Sequence, residues 1–168
     1  MGGVESPFQF VGYKIDKIQL DVTNAIEIIA NTAPIFPESI KMSLSFRHVS
    51  RFLTNGKTSY IGGLNINLEI LDPNTERLIL TGIFGIAGMF TTVEPMDSGN
   101  EEALVKLNIP TILMPYLRAT ITTTLSNAGF GTILMPLINV HETAKSANIL
   151  ISDVNTELTP SVLSKTIE

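Results

Sequence analysis

Residue types that could carry out chemistry are few and scattered in this chain of 168 residues. There are two histidines, His48 and His141, and no cysteine. A catalytic dyad would need the histidines to meet in space, whereas each follows a separate predicted segment, so we interpret both as structural. Without a thiol, disulfides, thiolate catalysis and zinc–cysteine clusters are excluded. The acidic residues lack the spacing of a metal-binding loop. The sequence therefore predicts no active site, no metal and no cofactor.

Two groups of glycines could indicate a phosphate-binding loop. Gly82, Gly85 and Gly88 repeat at short intervals, and Gly62 precedes Gly63. A dinucleotide fingerprint requires a junction between a strand and a helix. These glycines lie inside predicted strands, where glycine more often permits a bulge or the close approach of another element. We therefore predict that they serve packing.

The composition predicts apolar surface in excess of one core. Apolar residues make up 44% of the chain and charged residues 16%, and the mean hydropathy is +0.29. No apolar run reaches the ~20 residues that a membrane-spanning helix needs. A subunit interface or an apolar groove would use the surplus, so we expect an oligomer and no membrane insertion.

Charge and leader patterns limit the partners and the location. The formal charge is −5 and basic residues do not cluster, so we expect no nucleic-acid partner. Residues 1–20 lack a basic segment followed by an apolar one, so we expect no secretory signal and a cytoplasmic location. We predict one domain over residues 1–154 and a polar, flexible tail over 155–168.

Alternating apolar residues predict an antiparallel meander between residues 40 and 92. Residues 40–47 and 64–70 each read as a strand with one buried face. Asn55-Gly56 predicts a hairpin between them, and Asp72-Pro73-Asn74 predicts the next turn. Residues 77–92 form a third strand that is apolar on both faces, so we expect both faces to be covered.

The first strand is predicted over residues 8–22, where the apolar positions change parity twice. A bulge, or a strand that crosses between neighbours, would produce such shifts. Residues 24–37 fit either a further strand or a crossover, and the sequence leaves the two open.

A helix is predicted after residue 109. Pro110 suits its first turn, Pro115 should kink it or reset its start, and Gly129 should cap its end. Residues 133–152 have a weak helical pattern. An apolar stripe follows the helix: Ile112, Leu113, Tyr116, Leu117, Ile121, Leu125 and Ala128.

Three segments carry a resemblance to a known family. Residues 82–88, Gly-Ile-Phe-Gly-Ile-Ala-Gly, resemble the strand "GGIFSIAGI" of the SecB export chaperones. Residues 110–118, with Pro110, Pro115-Tyr116 and Arg118, resemble that family's "CPNILFPYAR". Residues 134–139 resemble its loop "LxxPPVNF". The chain is similar to the SecB family along most of residues 8–140.

The resemblance implies an α+β fold, with a four-stranded antiparallel sheet, helices on one face, and two dimers joined through their helices. It implies a cofactor-free holdase that binds unfolded or precursor polypeptides in apolar grooves. The expected peptide-binding residues are Phe46, Tyr60, Met89, Phe90 and Met114. The expected oligomer-interface residues are Ile112, Leu113, Tyr116, Leu117 and Ile121.

Docking to the SecA motor is expected to be weak or absent. Asp21 matches one of the family's acidic docking positions, but Lys17 and Arg77 stand where acids are expected. Three alternatives remain beside the general chaperone. They are a chaperone dedicated to one client, such as an antitoxin, a structural scaffold with the same fold, and an enzyme that uses His48 or His141 in a polar cleft.

Overall fold

A computed structural model describes residues 7–30 and 35–154 of the chain. The predicted tail, 155–168, lies outside these residues. The described chain contains one sheet with the order β1-β5-β4-β3-β6, and β2 also pairs with β4. The strands are β1 (Phe8–Val22), β2 (Ile40–Phe46), β3 (Val49–Thr54), β4 (Lys57–Leu71), β5 (Leu78–Thr92) and β6 (Ile151–Asp153). The α-helices are α1 (Ala25–Ala30), α2 (Ser98–Ala103), α3 (Ile109–Leu125) and α4 (Val140–Ser146).

Two bulges in β1 explain its changes of parity. The pairing with β5 shifts between Phe10 and Gly12 and again between Ile15 and Lys17. Each extra residue turns the following side chains over. As a result, the large apolar residues on both sides of each bulge point to the same face of the sheet. Of the two explanations that the sequence left open, the structure shows bulges, in a strand that pairs with β5 along its whole length.

The meander is confirmed, but the sheet has six strands in the described chain and not the four that the resemblance implied. The first meander strand is interrupted after Phe46, so β2 and β3 lie one after the other along the long strand β4. The short strand β6 then pairs with β3 in parallel. Asn55 and Gly56 form the predicted hairpin turn, and both have positive φ, at 52° and 75°.

The helical segment runs further than predicted. α2 and a π-helical turn over Leu104–Asn108 lead directly into α3. Pro110 lies in the first turn of α3, as predicted, but Pro115 lies inside α3 and does not end it. A second π-helical turn, Ser126–Phe130, follows, and Gly129 takes a left-handed conformation there with φ 94°. Gly129 therefore ends the helix, as predicted.

Glycines let α3 approach the sheet. Gly62 and Gly88 are paired across β4 and β5. A Cβ on Gly62 would lie 2.9 Å from the Ile109 side chain, and one on Gly88 would lie 2.6 Å from that of Leu113. Both residues belong to α3, so the packing role predicted for these glycines is confirmed. The face that α3 covers is called the helix face below, and the opposite face is called the outer face.

The core lies between α3 and the helix face. Its fully buried members from β4, β5 and α3 are Leu64, Ile66, Ile70, Leu80, Phe84, Ile86, Phe90, Leu113, Leu117, Ile121 and Leu125. On the outer face of β5, Ile79, Ile83 and Met89 are only half-buried. The sequence predicted cover on both faces of this strand, and α3 covers only one of them, because the described helical segment packs on a single side.

The described parts of the undecided segment between β1 and β2 contain a helix and no strand. α1 and a 3₁₀ turn at Pro37–Ser39 occupy its described parts. The weakly helical pattern after residue 133 corresponds to the short helix α4 and then β6. Across the described ranges, no helix is long and apolar enough to cross a membrane.

Candidate functional site

An apolar strip is exposed along β1. Its members share the helix face, as the pairing with β5 requires, and they are Tyr13, Ile15, Ile18, Leu20 and Val22. We call this set the β1 strip. Ile18 is 53% exposed, and Tyr13 and Val22 are also exposed. The strip is open because α3 packs over Gly62 and Gly88 of the central strands, which leaves the edge strand uncovered.

An aromatic cluster closes one end of the β1 strip. Phe10 lies with its ring centre 5.1 Å from that of Phe90, and the Tyr13 ring lies 4.5 Å from that of Tyr116. Phe8 stacks on Phe90 at 4.9 Å. Such pairs hold rings in fixed relative orientations. The cluster joins β1 to α3, and Tyr116 keeps 38% of its surface exposed.

A groove of about 820 Å³ opens at the other end of the β1 strip. We call it the end groove. Three separate segments form it: the end of β1 with α1, the turn from β4 to β5, and the end of the helical segment. Its apolar lining consists of Val22, Ala25, Ile28, Ile29, Ile35, Leu78, Ile79, Ala128 and Phe130. Asp72 and Arg77 supply charge among its lining residues.

α1 supplies the most exposed apolar side chains of this region. Ile26 is 85% exposed and Ile29 is 80% exposed. Asn24, in a left-handed conformation with φ 53°, turns the chain from β1 into α1. Exposed aliphatic side chains next to an open apolar groove are typical of a surface that binds another polypeptide.

The structure does not bring the five predicted peptide-binding residues together. Tyr60 and Phe90 are buried core residues, and Met114 is buried beside a second, smaller cavity of about 520 Å³. Phe46 and Met89 are half-buried, but the strand pairings place Phe46 on the helix face and Met89 on the outer face. Of the five, these two alone present substantial surface to a partner.

The predicted interface residues divide into two groups. Leu113, Leu117 and Ile121 are fully buried in the chain's own core. Ile112 is half-buried and Tyr116 is exposed. Contact with another subunit can therefore involve Ile112 and Tyr116 directly, whereas the other three stabilise the chain itself.

The residues of α1 and the end groove were not among the binding residues predicted from the sequence. Five of the six residues of α1 are alanine or isoleucine, in the run Ala-Ile-Glu-Ile-Ile-Ala, and each of the five is exposed or lines the groove. That apolar run is the one local feature of the sequence that could have indicated a binding surface here. The groove itself could not be inferred, because its walls come from segments distant in the sequence.

A polar network lies near the other edge of the sheet. Arg51 donates from Nε and Nη2 to the two carboxylate oxygens of Asp153, at 2.6 and 2.8 Å. Its Nη1 donates to Glu101 at 2.6 Å, and the Tyr60 hydroxyl donates to the same oxygen at 2.8 Å. Burial and the hydrogen bond to Glu101 raise the pKa of Tyr60. The pKa of Asp153 is lowered by its hydrogen bonds from Arg51.

The two histidines have different surroundings. His48 Nδ1 accepts a hydrogen bond from the Leu150 backbone N–H at 3.1 Å. His141 is exposed, and its Nδ1 lies 3.8 Å from Glu142 Oε1. The described part of the chain contains no cluster of three or more potential metal ligands.

The three positions that the resemblance associates with motor docking lie on β1 and in the turn before β5. Lys17 and Asp21 point to the outer face of β1, and Asp21 accepts a hydrogen bond from the Gln19 amide at 3.1 Å. Arg77 lies in the turn that precedes β5. Two cations and one acid therefore replace the acidic surface that the resemblance associates with the motor.

Comparisons with known proteins give structural neighbours only. No family model and no curated protein matches the sequence. A SecB-like chaperone from Mycobacterium tuberculosis, solved with a ChAD peptide from the HigA1 antitoxin, has a TM-score of 0.57 and 14% identity. The match covers 79% of this chain and 91% of that one. A Streptococcus agalactiae protein of unknown function has a TM-score of 0.41 and 12% identity, over 78% and 97% of the two chains. The chain has a SecB-like fold.

Proposed function

We propose that this protein is a cofactor-free chaperone that holds unfolded polypeptide segments along the β1 strip and in the end groove. The observation that carries the proposal is that these two apolar surfaces meet at Val22, which belongs to the β1 strip and also lines the end groove. The SecB-like fold supports it, because the neighbour from Mycobacterium tuberculosis was solved with a bound antitoxin peptide.

The surface suits extended clients of varied sequence. Its lining is mostly aliphatic, so contacts depend on apolar area and not on a fixed pattern of hydrogen bonds. Burial of one client side chain contributes roughly 1.5–3 kcal/mol. A segment that fills several positions can then bind tightly without any single strong contact. Binding of this kind requires neither a nucleotide nor a metal.

Assembly of several copies would use the other end of the β1 strip. β1 is the first strand in the sheet order, so one of its sides pairs with no strand of the described chain, and such edges are commonly covered by another strand. The aromatic cluster adds the exposed Tyr116 beside this edge. We therefore assign Tyr116 and Ile112 to the contact between copies, and the rest of the β1 strip together with the end groove to clients.

One observation favours a narrower version of this function. The structural neighbour was solved with a peptide from one antitoxin, so a chaperone dedicated to a single client is the second candidate. A scaffold would share the fold but would not need the open end groove. The broader proposal also includes a cytoplasmic location and a general role in export. The cationic residues Lys17 and Arg77 argue against export through the SecA motor.

The proposal is tested by the aggregation of chemically unfolded proteins, followed by light scattering without nucleotide. The variant Ile18→Asp, Ile29→Asp places charge on the β1 strip and on the wall of the end groove. Both side chains are exposed, so the fold should be retained. Leu137→Asp is the matched control, since Leu137 is 92% exposed and lies outside the groove.

We expect wild type and the control to suppress aggregation of several unrelated clients, and the double variant to lose at least ten-fold in potency. Suppression restricted to one client would select the dedicated chaperone. If wild type suppresses none, or if the double variant equals the control, the surface does not bind clients.

A further inference from the structure

The edge of β3 carries the sheet's one parallel pairing in the described residues. β6 pairs there with residues 49–51, while the other strand pairings are antiparallel. Parallel pairs are slightly less stable per residue, and β6 has only three residues, two of which are exposed. β6 therefore buries little surface for a strand that completes an edge.

Hydrogen bonds to its backbone nevertheless hold β6 and the residues beside it on β3. The Val49 N–H donates to the Leu150 carbonyl at 2.8 Å, and the Val154 N–H donates to the Arg51 carbonyl at 2.9 Å. His48 Nδ1 accepts from the Leu150 N–H. In these contacts the extended segment contributes only backbone N–H and C=O groups, so they do not depend on its side chains.

The carboxylate of Asp153 is bound by the Arg51 guanidinium, which other residues hold in position. Arg51 presents two donors to it, and the third bond of the same guanidinium goes to Glu101, which Tyr60 also holds. Glu101 has only 14% of its side chain exposed. The bond to Glu101 thus holds the Arg51 guanidinium in one orientation. A guanidinium that is already oriented loses less conformational entropy when it binds a carboxylate.

Within residues 35–154, the edge of β3 extends past the last residue of β6. Residues 52–54 of β3 have no strand partner on this side in the described chain. Leu53, two positions after Arg51, is 55% exposed. A longer strand could continue past β6 and cover this side chain, which the chain's own Ile151–Asp153 segment does not reach.

We propose that the β3 edge is a second polypeptide-binding site and that β6 is its resting, displaceable occupant. The partner is an extended segment with an apolar residue, an acidic residue two positions later, and another apolar residue two positions after that. It adds to β3 in parallel, with its carboxylate on Arg51 and its last apolar side chain on Leu53. The inference rests on the proposed function only in that the partner is a polypeptide.

Displacement is opposed by the tether of β6 to the chain and favoured by the small surface that its three residues bury. A tethered segment acts at an effective concentration on the order of mM. A short free peptide must exceed that concentration to replace β6, whereas a longer partner that also covers Leu53 gains additional apolar contact.

The test uses the full chain and a blocked six-residue peptide. The peptide has the sequence of residues 150–154 followed by leucine. The release variant Ser152→Pro, Asp153→Lys removes a backbone donor and the carboxylate from β6, and both positions are exposed. Peptide binding is measured by NMR titration, followed at the Arg51 Nε resonance.

We expect the release variant to bind the peptide at least ten-fold more tightly than wild type. A peptide with asparagine in place of its aspartate should bind the release variant at least five-fold more weakly. Equal affinity for wild type and variant, or for the two peptides, would overturn the proposal. Ile29→Asp in the release variant should leave this affinity unchanged, so failure here and failure of the end groove are separate results.

Discussion

Arg47, which directly follows β2, forms an ion pair with Asp16 of β1 across the outer face of the sheet, although β4 and β5 lie between them. Arg47 Nη2 lies 2.7 Å from Asp16 Oδ1, and Nη1 lies 2.5 Å from Oδ2. Asp16 is the extra residue at the second bulge of β1. The guanidinium passes over Gly85 and donates to Asn65 Oδ1 at 2.6 Å. This pair ties the bulged edge strand to the opposite side of the meander.

Gly85 and Arg47 should therefore be energetically coupled. A Cβ at Gly85 would overlap the Arg47 guanidinium, so Gly85→Ala should displace it and break its pair with Asp16. We expect Gly85→Ala and Arg47→Ala each to cost about 1 kcal/mol, because the pair is partly exposed. The double variant should cost much less than the sum.

The measurement is urea unfolding of the four proteins in this cycle. Gly12→Ala is the control on β1, since a Cβ there meets no atom within 4 Å, and it should change stability little. Strict additivity of Gly85→Ala and Arg47→Ala would show that the glycine has another role.

The same pair predicts how stability depends on pH. The hydrogen bonds from Arg47 hold the pKa of Asp16 below its ordinary value. A carboxyl group with a lowered folded-state pKa contributes stability above its unfolded pKa, about 3.9, and loses it as the pH falls through the folded value. Asp16→Asn should thus be less stable than wild type at pH 6, with a gap that narrows as the pH falls below about 4. A gap independent of pH between 6 and 2 would contradict this assignment.

Two neighbouring residues of α3 should give opposite results when they become aspartate. Tyr116 is exposed beside β1, so Tyr116→Asp should dissociate the assembly and leave the fold intact. Leu117 is fully buried, so Leu117→Asp should unfold the chain, because an unpaired buried carboxylate costs several kcal/mol. Light-scattering mass and circular dichroism distinguish these results. A Tyr116→Asp variant with the wild-type mass, or wild type with the mass of one 18.3 kDa chain, would rule out the proposed contact.

Binding to the SecA motor should be weak and should respond to charge. Lys17 and Arg77 oppose the acidic pattern of the family, and reversed charges at such an interface are costly. The double variant Lys17→Glu, Arg77→Glu should bind the motor at least ten-fold more tightly than wild type by calorimetry. Tight binding of wild type would indicate a different docking surface.

Much of the sheet could be predicted from local patterns. The parity shifts of β1 are readable because its apolar residues are dense enough to show each bulge, and Asn55-Gly56 identifies its hairpin. The break between β2 and β3 could not be predicted, because the apolar alternation of β2 runs up to Arg47 without interruption. No local pattern shows that the Arg47 side chain extends across the sheet.

The candidate site was less predictable. The stripe of α3 shows that Leu113, Leu117 and Ile121 must be buried, but a stripe does not say whether the chain's own sheet or another copy covers it. The end groove depends on contacts between segments around residues 22–29, 72–79 and 128–131, which no local pattern connects.

Site-specific photo-crosslinking to an unfolded client tests whether clients bind in the end groove. A photoreactive residue replaces Ile29, on the wall of the end groove, or Leu137, which is more exposed but lies elsewhere. Mass spectrometry then counts client adducts from each position. We expect client adducts from position 29 and few or none from position 137. Equal yields from the two positions, or adducts from position 137 alone, would contradict this expectation.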